Sequence, residues 1–155
     1  MEEKTPTESV STIMSTQIVT VRPTDKVEKA LRMMVRHRIG SIIVVEKEKP
    51  VGIITERDIS TRTAKGQNVR GMLVSKIMSK HLVTIDPSMQ VWEAVEQMIR
   101  KDIRRLPVID ANKLVGMVTE RDIFRWMIKV AYEPSIPEDL KQLLDTRAHA
   151  HALAG

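Results

Sequence analysis

The sequence predicts an α/β (α+β) fold built from two tandem β-α-β-β-α repeats and a C-terminal helix. The chain aligns with itself at an offset of 64 positions: residues 13–59 match residues 77–123 without a gap, with 20 identities in 47 positions. In each copy, short runs rich in β-branched residues alternate with segments whose apolar residues recur at helical spacing. A unit of this size cannot bury its helices and sheet well alone, so we expect the two repeats to pack sheet to sheet.

Each repeat opens with a strand and a helix. Residues 18–21 and 82–85 are strand-like runs, which Pro23 and Pro87 end, and Thr24 and Ser88 are candidate helix N-caps. The helices that follow have an apolar stripe at i, i+3, i+4, i+7 and i+8. The stripe consists of Val27, Ala30, Leu31, Met34 and Val35 in the first copy and of Val91, Ala94, Val95, Met98 and Ile99 in the second.

Each repeat closes with a hairpin and a second helix. The predicted strands are residues 41–45 and 51–54 in the first copy and 105–109 and 114–118 in the second, joined by short polar turns. Helices are expected to start at Thr55 and Thr119. The predicted organisation is a flexible N-terminus (1–9), repeat 1 (10–64), a linker (65–72), repeat 2 (73–131) and a C-terminal helical extension (132–155).

The end of the second repeat is rich in large apolar residues. Core packing and a dimer interface both account for them. The residues are Phe124, Trp126, Met127, Val130 and Tyr132, and an amphipathic helix is predicted beyond them over residues 138–148, with Leu140, Leu143 and Leu144 on one face.

Composition narrows the function classes. There is no Cys, which excludes disulfides and thiolate chemistry, and no apolar run approaches the roughly 20 residues of a membrane span. We therefore expect a soluble, cytoplasmic protein. A net charge of +5 favours anionic partners, namely nucleotides, nucleic acid or acidic protein surfaces.

Nucleic-acid binding is an alternative, but only 3% of residues are aromatic and few could stack on bases. Catalysis is not expected, because the sequence has neither a phosphate-binding glycine loop nor a Ser/His/Asp order. No cofactor is expected. His149 and His151 resemble a metal pair without a nearby carboxylate, so no metal site is predicted.

The stretch Thr-Glu-Arg-Asp-Ile occurs in both copies, at Thr55–Ile59 and Thr119–Ile123. One interpretation is a capping box, in which the Thr hydroxyl and the Asp carboxylate satisfy amides at the start of the helix. The other is a ligand site, because a helix N-terminus attracts phosphate and a carboxylate can accept hydrogen bonds from the two hydroxyls of a ribose. The two interpretations are compatible.

The duplicated unit resembles the cystathionine-beta-synthase (CBS) domain, and the pair resembles a CBS tandem, or Bateman module, over about residues 10–130. The resemblance rests on the order of several motifs, each present twice. They are Ile13-Met14-Ser15, Val19-Thr20-Val21-x-Pro23, Ala30-x-x-x-Met34, Ile39-Gly40-Ser41-Ile42 and Gly52-x-x-Thr55-x-x-Asp58, repeated as Ile77-Met78-Ser79, Val83-Thr84-Ile85-x-Pro87, Ala94-x-x-x-Met98, Ile103-Arg104-Arg105-Leu106-Pro107-Val108 and Gly116-x-x-Thr119-x-x-Asp122.

The resemblance implies a pseudo-twofold pair with two clefts between the repeats. Such clefts bind AMP, ADP or ATP, and in some members S-adenosylmethionine, and such modules form homodimers that regulate enzymes or channels. The chain is therefore expected to be a stand-alone regulatory protein that signals to a partner not identified by the sequence.

The resemblance also assigns residues to each cleft. One cleft would hold the ribose on Thr119, Asp122 and Met117, the adenine on Met14, Gln17, Val19, Ile39 and Gly40, and the phosphates on Arg104, Arg105 and Arg121. The other would use Ile53, Thr55 and Asp58 with Met78, His81, Val83 and Ile103, and Arg57 for phosphate.

The two predicted clefts are not equivalent. Gly40-Ser41 in the first copy stands where Arg104-Arg105 stands in the second. We therefore predict that the sites differ in affinity and that the Asp122 site is the better one for phosphorylated ligands. The alternative is that Arg104 and Arg105 face solvent.

Overall fold

The computed structural model describes residues 7–132 and Gln142, and it confirms the α/β class. The elements run in the order β1 (Thr20–Val21), α1 (Val27–His37), β2 (Ser41–Glu46), β3 (Lys49–Thr55), α2 (Glu56–Ala64), α3 (Val91–Lys101), β4 (Arg105–Asp110), β5 (Lys113–Thr119) and α4 (Glu120–Tyr132), with short 3-10 turns at Val10–Thr12 and Val74–Lys76. Residues 1–6, the His149/His151 pair and, except for Gln142, the helix predicted over residues 138–148 lie outside the described residues.

The chain divides into two compact units. The first unit comprises Val19–Val83 with Asn112–Leu114, and the second comprises the described residues up to Ile18, Thr84–Ala111 and the described residues from Val115 onwards. Each unit thus takes its short 3-10 turn from the segment that precedes the other repeat in sequence. The predicted domain boundaries follow the sequence repeat and stay a prediction.

The first unit is built on a three-stranded sheet in the order β1-β2-β3. Strand β1 is parallel to β2, pairing Thr20 with Ile43, and β2 is antiparallel to β3. The hairpin turn places Lys47 and Glu48 at φ values of 49° and 65°, the left-handed conformation that a tight two-residue turn requires. The core beneath this sheet contains Val27, Ala30, Met34, Ile42, Val44, Ile54, Ile59 and Val74.

The second unit has a two-stranded sheet of β4 and β5. The strand predicted over residues 82–85 is wrong in extent, because only Ile85 forms a bridge, parallel to Val108. The Ile85 amide donates to the Pro107 carbonyl at 3.0 Å. The N–H and C=O of a strand residue point to the same edge, so Pro107 lacks its donor on the edge that faces Ile85. Repeat 1 has Ile43 at this position and keeps a two-residue strand.

The predicted N-caps Thr24 and Ser88 are also wrong, since α1 is preceded by Lys26 and α3 by Gln90. Backbone carbonyls accept the first amide of both helices, and at α3 Glu93 Oε2 also accepts from the Gln90 amide at 3.0 Å. The Val27 amide donates to the Met72 carbonyl at 2.9 Å, and the Val91 amide donates to the Glu8 carbonyl at 2.8 Å. The first free amides of both helices are therefore satisfied by segments distant in sequence.

The predicted apolar stripe of α1 and α3 is confirmed for most members but wrong for Val35 and Ile99, which are 79% and 75% exposed. At about 100° per residue, Val35 lies roughly 80° around the helix from Val27, on the side away from Ala30 and Met34. It is therefore at the edge of the stripe, and Ile99 occupies the equivalent place in α3.

Candidate functional site

The first candidate site lies where β3 ends and α2 begins. Thr55 and Asp58 form a complete capping box: the Thr55 hydroxyl accepts from the Asp58 amide at 3.1 Å, and Asp58 Oδ2 accepts from the Thr55 amide at 3.0 Å. The Thr55 hydroxyl also donates to Asp58 Oδ2 at 2.8 Å. All three bonds leave Asp58 Oδ1 unused by the cap, so the capping role and an acceptor role are compatible in one side chain.

The same constellation forms at the start of α4. Asp122 Oδ2 accepts from the Thr119 amide at 2.8 Å and from its hydroxyl at 2.8 Å, and the Asp122 amide donates to the Thr119 hydroxyl at 3.3 Å. Here Asp122 Oδ1 lies 3.9 Å from Arg125 Nη1, and both side chains are about 15% exposed. At position 61, which is equivalent to Arg125, the first repeat has Thr.

Gly52 in β3 and Gly116 in β5, three residues before each Thr, let a methionine approach the strand. The Met117 amide and carbonyl pair with Ser15 at 2.9 Å each, and Ile53 pairs with Ser79 at 2.9 and 2.8 Å. A Cβ added at Gly116 would collide with the Met14 side chain, and one added at Gly52 would lie 2.9 Å from Met78 Sδ. Thus Met14 packs beside the strand that leads to Asp122, and Met78 beside the strand that leads to Asp58.

The cations near Asp122 differ in their surroundings. Burial lowers the pKa of the Arg105 guanidinium, Arg121 lowers it further, and Asp122 raises it. Arg105 is half-buried, whereas the Arg104 side chain is 84% exposed and lies 3.8 Å from Glu120. The predicted solvent-facing alternative thus describes Arg104, while Arg105 is electrostatically coupled to Asp122.

A cavity of about 370 Å³ lies beside α2 in the first unit, a volume within the range of small-molecule sites. It is lined by Arg57, Asp58, Thr61, Arg62, Lys65, Gln67 and Ile77. Of these residues, the sequence prediction assigned only Arg57 and Asp58 to a nucleotide cleft, and it noted Arg62 and Lys65 only as part of a basic cluster that could contact nucleic acid. The signal it missed is the i, i+4 and i+8 spacing of Arg57, Thr61 and Lys65, which places all three on one helix face.

Comparison with known proteins identifies the family. The profile of the CBS domain matches residues 10–64 and 74–129. The chain belongs to the CBS-domain family. It is 39% identical over 115 residues to the CBS domain-containing protein YhcV of Bacillus subtilis, covering 74% of this chain and 82% of that protein. It is 37% identical over 137 residues to an uncharacterized protein of Methanopyrus kandleri, covering 86% of this chain and 69% of that protein.

A solved CBS pair carries adenosine compounds. The CBS domain pair of protein MJ0100, in complex with 5′-methylthioadenosine and S-adenosyl-L-methionine, superimposes with a TM-score of 0.68 at 29% identity, covering 79% of this chain and 97% of that chain. The duplicated CBS fold predicted from the sequence is therefore confirmed.

The two CBS repeats distribute the predicted ligand residues between the units. The first unit holds Ile53, Thr55, Arg57, Asp58, Met78, His81 and Val83, together with Val19, Ile39 and Gly40. The second unit holds Met14, Gln17, Ile103, Arg104, Arg105, Met117, Thr119, Arg121 and Asp122. Their assignment to ligand contacts stays a prediction.

Inside each unit, several of these residues converge. The Gly40 carbonyl accepts from the Glu56 amide at 2.9 Å, and the Arg104 carbonyl accepts from the Glu120 amide at 2.9 Å. The segment that ends the first helix of each CBS repeat is therefore bonded to the first turn of its second helix, next to the Thr-x-x-Asp cap.

The predicted apolar contacts of the ligand are half-buried, unlike their neighbours in the core. Ile53 and Met117 are partly exposed, whereas Ile54 and Val118 on the same strands are fully buried. Met14, Val19, Ile39, Met78, Val83 and Ile103 are also half-buried. These side chains retain apolar surface that a flat, apolar ligand face could cover.

Two further properties bear on the site. None of the helices in the described part of the chain is long and apolar enough to cross a membrane. Residues 7–132 and Gln142 contain no group of three or more His, Asp or Glu side chains placed to hold a metal ion.

Proposed function

We propose that this CBS-pair protein binds an adenosine-containing ligand through Thr55 with Asp58 and through Thr119 with Asp122, and that binding regulates a partner protein. The observation that carries the proposal is the identical cap at both helix starts, which holds each Asp by Oδ2 and leaves Oδ1 outside the cap. A carboxylate oxygen outside the cap can accept hydrogen bonds from ribose hydroxyls while the cap stays intact.

The residues around each cap suit the rest of an adenosine ligand. Half-buried Ile53 and Met117 precede the caps and offer apolar surface to the nucleoside. Arg57 and Arg121 lie in the first turn of their helices, where the helix dipole also favours an anion. This combination supports AMP, ADP or ATP as the primary ligand.

S-adenosylmethionine is the second candidate, because the related MJ0100 pair was solved with it and with 5′-methylthioadenosine. Both ligand types share the ribose diol, so the Asp side chains would serve either. They differ at the 5′ substituent, which is anionic in a nucleotide and cationic at sulfur in S-adenosylmethionine. The basic groups beside both Asp residues favour the nucleotide.

The test is isothermal titration calorimetry of the full chain with AMP, ADP, ATP and S-adenosylmethionine, paired with thermal unfolding. A ligand present at 100 times its dissociation constant should add about 2.7 kcal/mol to the free energy of unfolding. Asp58→Ala and Asp122→Ala should each remove one site or weaken it at least about tenfold, because a charge-assisted hydrogen bond is lost.

Asp86→Asn is the matched control. Asp86 Oδ1 accepts from the Ser88 amide at 2.8 Å and from its hydroxyl at 2.5 Å, so it makes a similar pair of bonds away from α2 and α4. This variant should bind like wild type. If no adenosine compound binds, the proposed function is wrong, and if both Asp→Ala variants bind at full strength, the residue assignment is wrong.

We also propose that the protein forms a homodimer through the α3 and α4 face of the second unit. Five exposed apolar side chains lie on these two helices: Trp92, Ile99, Phe124, Met127 and Val130. Exposed apolar groups clustered on adjacent elements are typical of an interaction surface. Light scattering on wild type and Phe124→Glu tests this: a dimer that becomes monomeric in the variant is expected, and a monomeric wild type at micromolar concentration overturns it.

A further inference from the structure

The cavity beside α2 contains more positive than negative charge. Arg57, Arg62 and Lys65 line it, and Asp58 is its one acidic lining residue. Among the residues that the structure describes, no carboxylate lies within ion-pair distance of Arg57 or Lys65, whereas other helix cations such as Lys29 and Arg100 are paired with carboxylates. Three neighbouring cations repel one another, and an anion bound between them would relieve that repulsion.

One of these cations is held in position. Arg62 Nη2 donates to the Lys76 carbonyl at 3.1 Å, and Nη1 donates to Gln67 Oε1 at 3.3 Å. These bonds fix the guanidinium at the wall of the cavity, and a fixed donor loses less entropy when a ligand binds. Thr61 on α2 and Lys65, the residue that directly follows α2, add a hydroxyl and an ammonium donor.

The corresponding position in the second repeat is filled. Trp126 is equivalent to Arg62 when the 64-residue offset is continued along α2 and α4. It is 8% exposed and donates from Nε1 to Glu8 Oε2 at 2.6 Å. Arg125 replaces Thr61 and is committed to Asp122. An open basic cavity is therefore a property of the first repeat and does not follow from the CBS fold itself.

We propose that the α2 cavity binds an oligophosphate, either free or as the phosphate tail of a nucleotide. Every polar lining residue except Asp58 can donate hydrogen bonds, which matches a ligand made only of acceptors. Three cations favour a ligand with several charges over a single carboxylate. Asp58 and Lys65 are separated by about 10 Å along the helix axis, so the donors are spread over the length of an extended chain of phosphates.

The test uses tripolyphosphate as the probe, with the full chain in a calorimeter. One site per chain is expected, with affinity that falls as salt is added, because the cavity is open to solvent. Lys65→Gln should weaken binding about three- to fivefold, and Arg62→Gln about tenfold or more because its guanidinium is half-buried and fixed. If Arg62→Gln proves poorly folded, tripolyphosphate binding by Arg57→Gln tests a third cation of the cavity, at an exposed position.

Lys129→Gln is the matched control, because Lys129 occupies the position on α4 that Lys65 occupies on α2, and both are exposed. It should leave tripolyphosphate binding within about twofold of wild type. Equal weakening by Lys65→Gln and Lys129→Gln would show diffuse attraction to a basic protein and overturn the proposal, as would the lack of measurable binding at millimolar probe.

A second experiment distinguishes the binding of free phosphate chains from the binding of nucleotides. It also distinguishes failure of this inference from failure of the proposed adenosine function. Asp58→Ala should weaken ATP binding at the first repeat but leave tripolyphosphate binding intact or stronger, since it removes a negative charge. Binding of tripolyphosphate without any adenosine compound would overturn the adenosine function alone. Binding of AMP with no response to tripolyphosphate, and no gain from AMP to ATP, would overturn the oligophosphate site alone.

Discussion

The two equivalent glycines that precede the Thr-x-x-Asp caps should respond differently to the same substitution. A Cβ at Gly52 would lie 2.7 Å from the Ser79 carbonyl oxygen, a backbone atom that itself accepts the Ile53 amide. A Cβ at Gly116 would meet only the Met14 side chain among its closest neighbours. Backbone cannot yield without breaking the pairing of Ile53 with Ser79, whereas a methionine can change rotamer.

We therefore expect Gly52→Ala to lower the free energy of unfolding by about 2–3 kcal/mol, the upper part of the range for overpacking a well-packed site. Gly116→Ala should cost about 1 kcal/mol, because rotation of Met14 relieves most of the overlap and the added methyl reduces the entropy of the unfolded chain. Urea unfolding of both variants measures the difference, with the slope of the transition as a check on two-state behaviour.

A double-mutant cycle makes the reasoning specific. In a Met14→Ala background the obstacle at Gly116 is gone, so adding Gly116→Ala should be neutral or slightly stabilising. Met78→Ala should not rescue Gly52→Ala, since the Ser79 carbonyl remains. Equal costs for the two glycine variants, or a full rescue of Gly52→Ala by Met78→Ala, would refute the assignment of the clash to backbone.

Substitutions at three further kinds of contact are tested by the same unfolding measurement. Trp126→Phe should lower the free energy of unfolding by about 1.5–2 kcal/mol through loss of the Nε1 hydrogen bond to Glu8, and Glu8→Gln should lower it by less. Equal stability of Trp126→Phe and wild type would contradict the contact. Thr55→Val and Thr119→Val should each cost about 1 kcal/mol by removing the cap, and an unchanged melting temperature would argue against it. Burial raises the pKa of Asp25, but the Arg22 amide and Lys29 outweigh it and lower the pKa below 3.8. Asp25→Asn should therefore lower the free energy of unfolding by roughly 0.5–1 kcal/mol at pH 7. This loss should shrink as the pH falls below about 3.8 and should not change between pH 6 and 8.

The order of helices and strands could be predicted because the sequence pattern of each element occurs twice, once in each repeat. The strand ends and helix starts around Thr55 and Thr119 follow from a local signal, since the capping box needs only residues three apart. The start of α1 could not be predicted in this way, because the Val27 amide is satisfied by the Met72 carbonyl, from a distant segment of the chain. At α3 a local signal does exist, since Glu93 Oε2 accepts from the Gln90 amide at 3.0 Å, but it lies two residues beyond the predicted cap at Ser88.

The candidate site shows the same division. Asp58 and Asp122 were found from a motif, and so were their threonines. The cavity beside α2 was not predicted, because it depends on the lack of a bulky aromatic side chain at position 62. There the Arg62 guanidinium donates to Gln67 and Lys76, whereas the Trp126 indole fills the equivalent place in the second repeat. Reading the repeats against each other for differences in side-chain volume, and not only for shared motifs, would have pointed to this helix face.

These differences predict how the two repeats would divide the work under the proposed function. At Asp122, Arg125 already lies 3.9 Å from the Oδ1 atom that a ribose would use, so a ligand must compete with or reorganise an ion pair that is about 85% shielded from solvent. At Asp58 the equivalent residue is Thr61, which carries no charge. Arg57 directly precedes Asp58, and Arg62 and Lys65 lie about one and two turns further along the chain. In the second repeat, the Asp122 carboxylate is thus partly neutralised by Arg125. In the first repeat, the Asp58 carboxylate has a separate basic cavity beside it. Removing the competitor with Arg125→Thr should therefore strengthen adenosine binding at Asp122, and a loss of binding in this variant would show instead that Arg125 is itself a ligand contact.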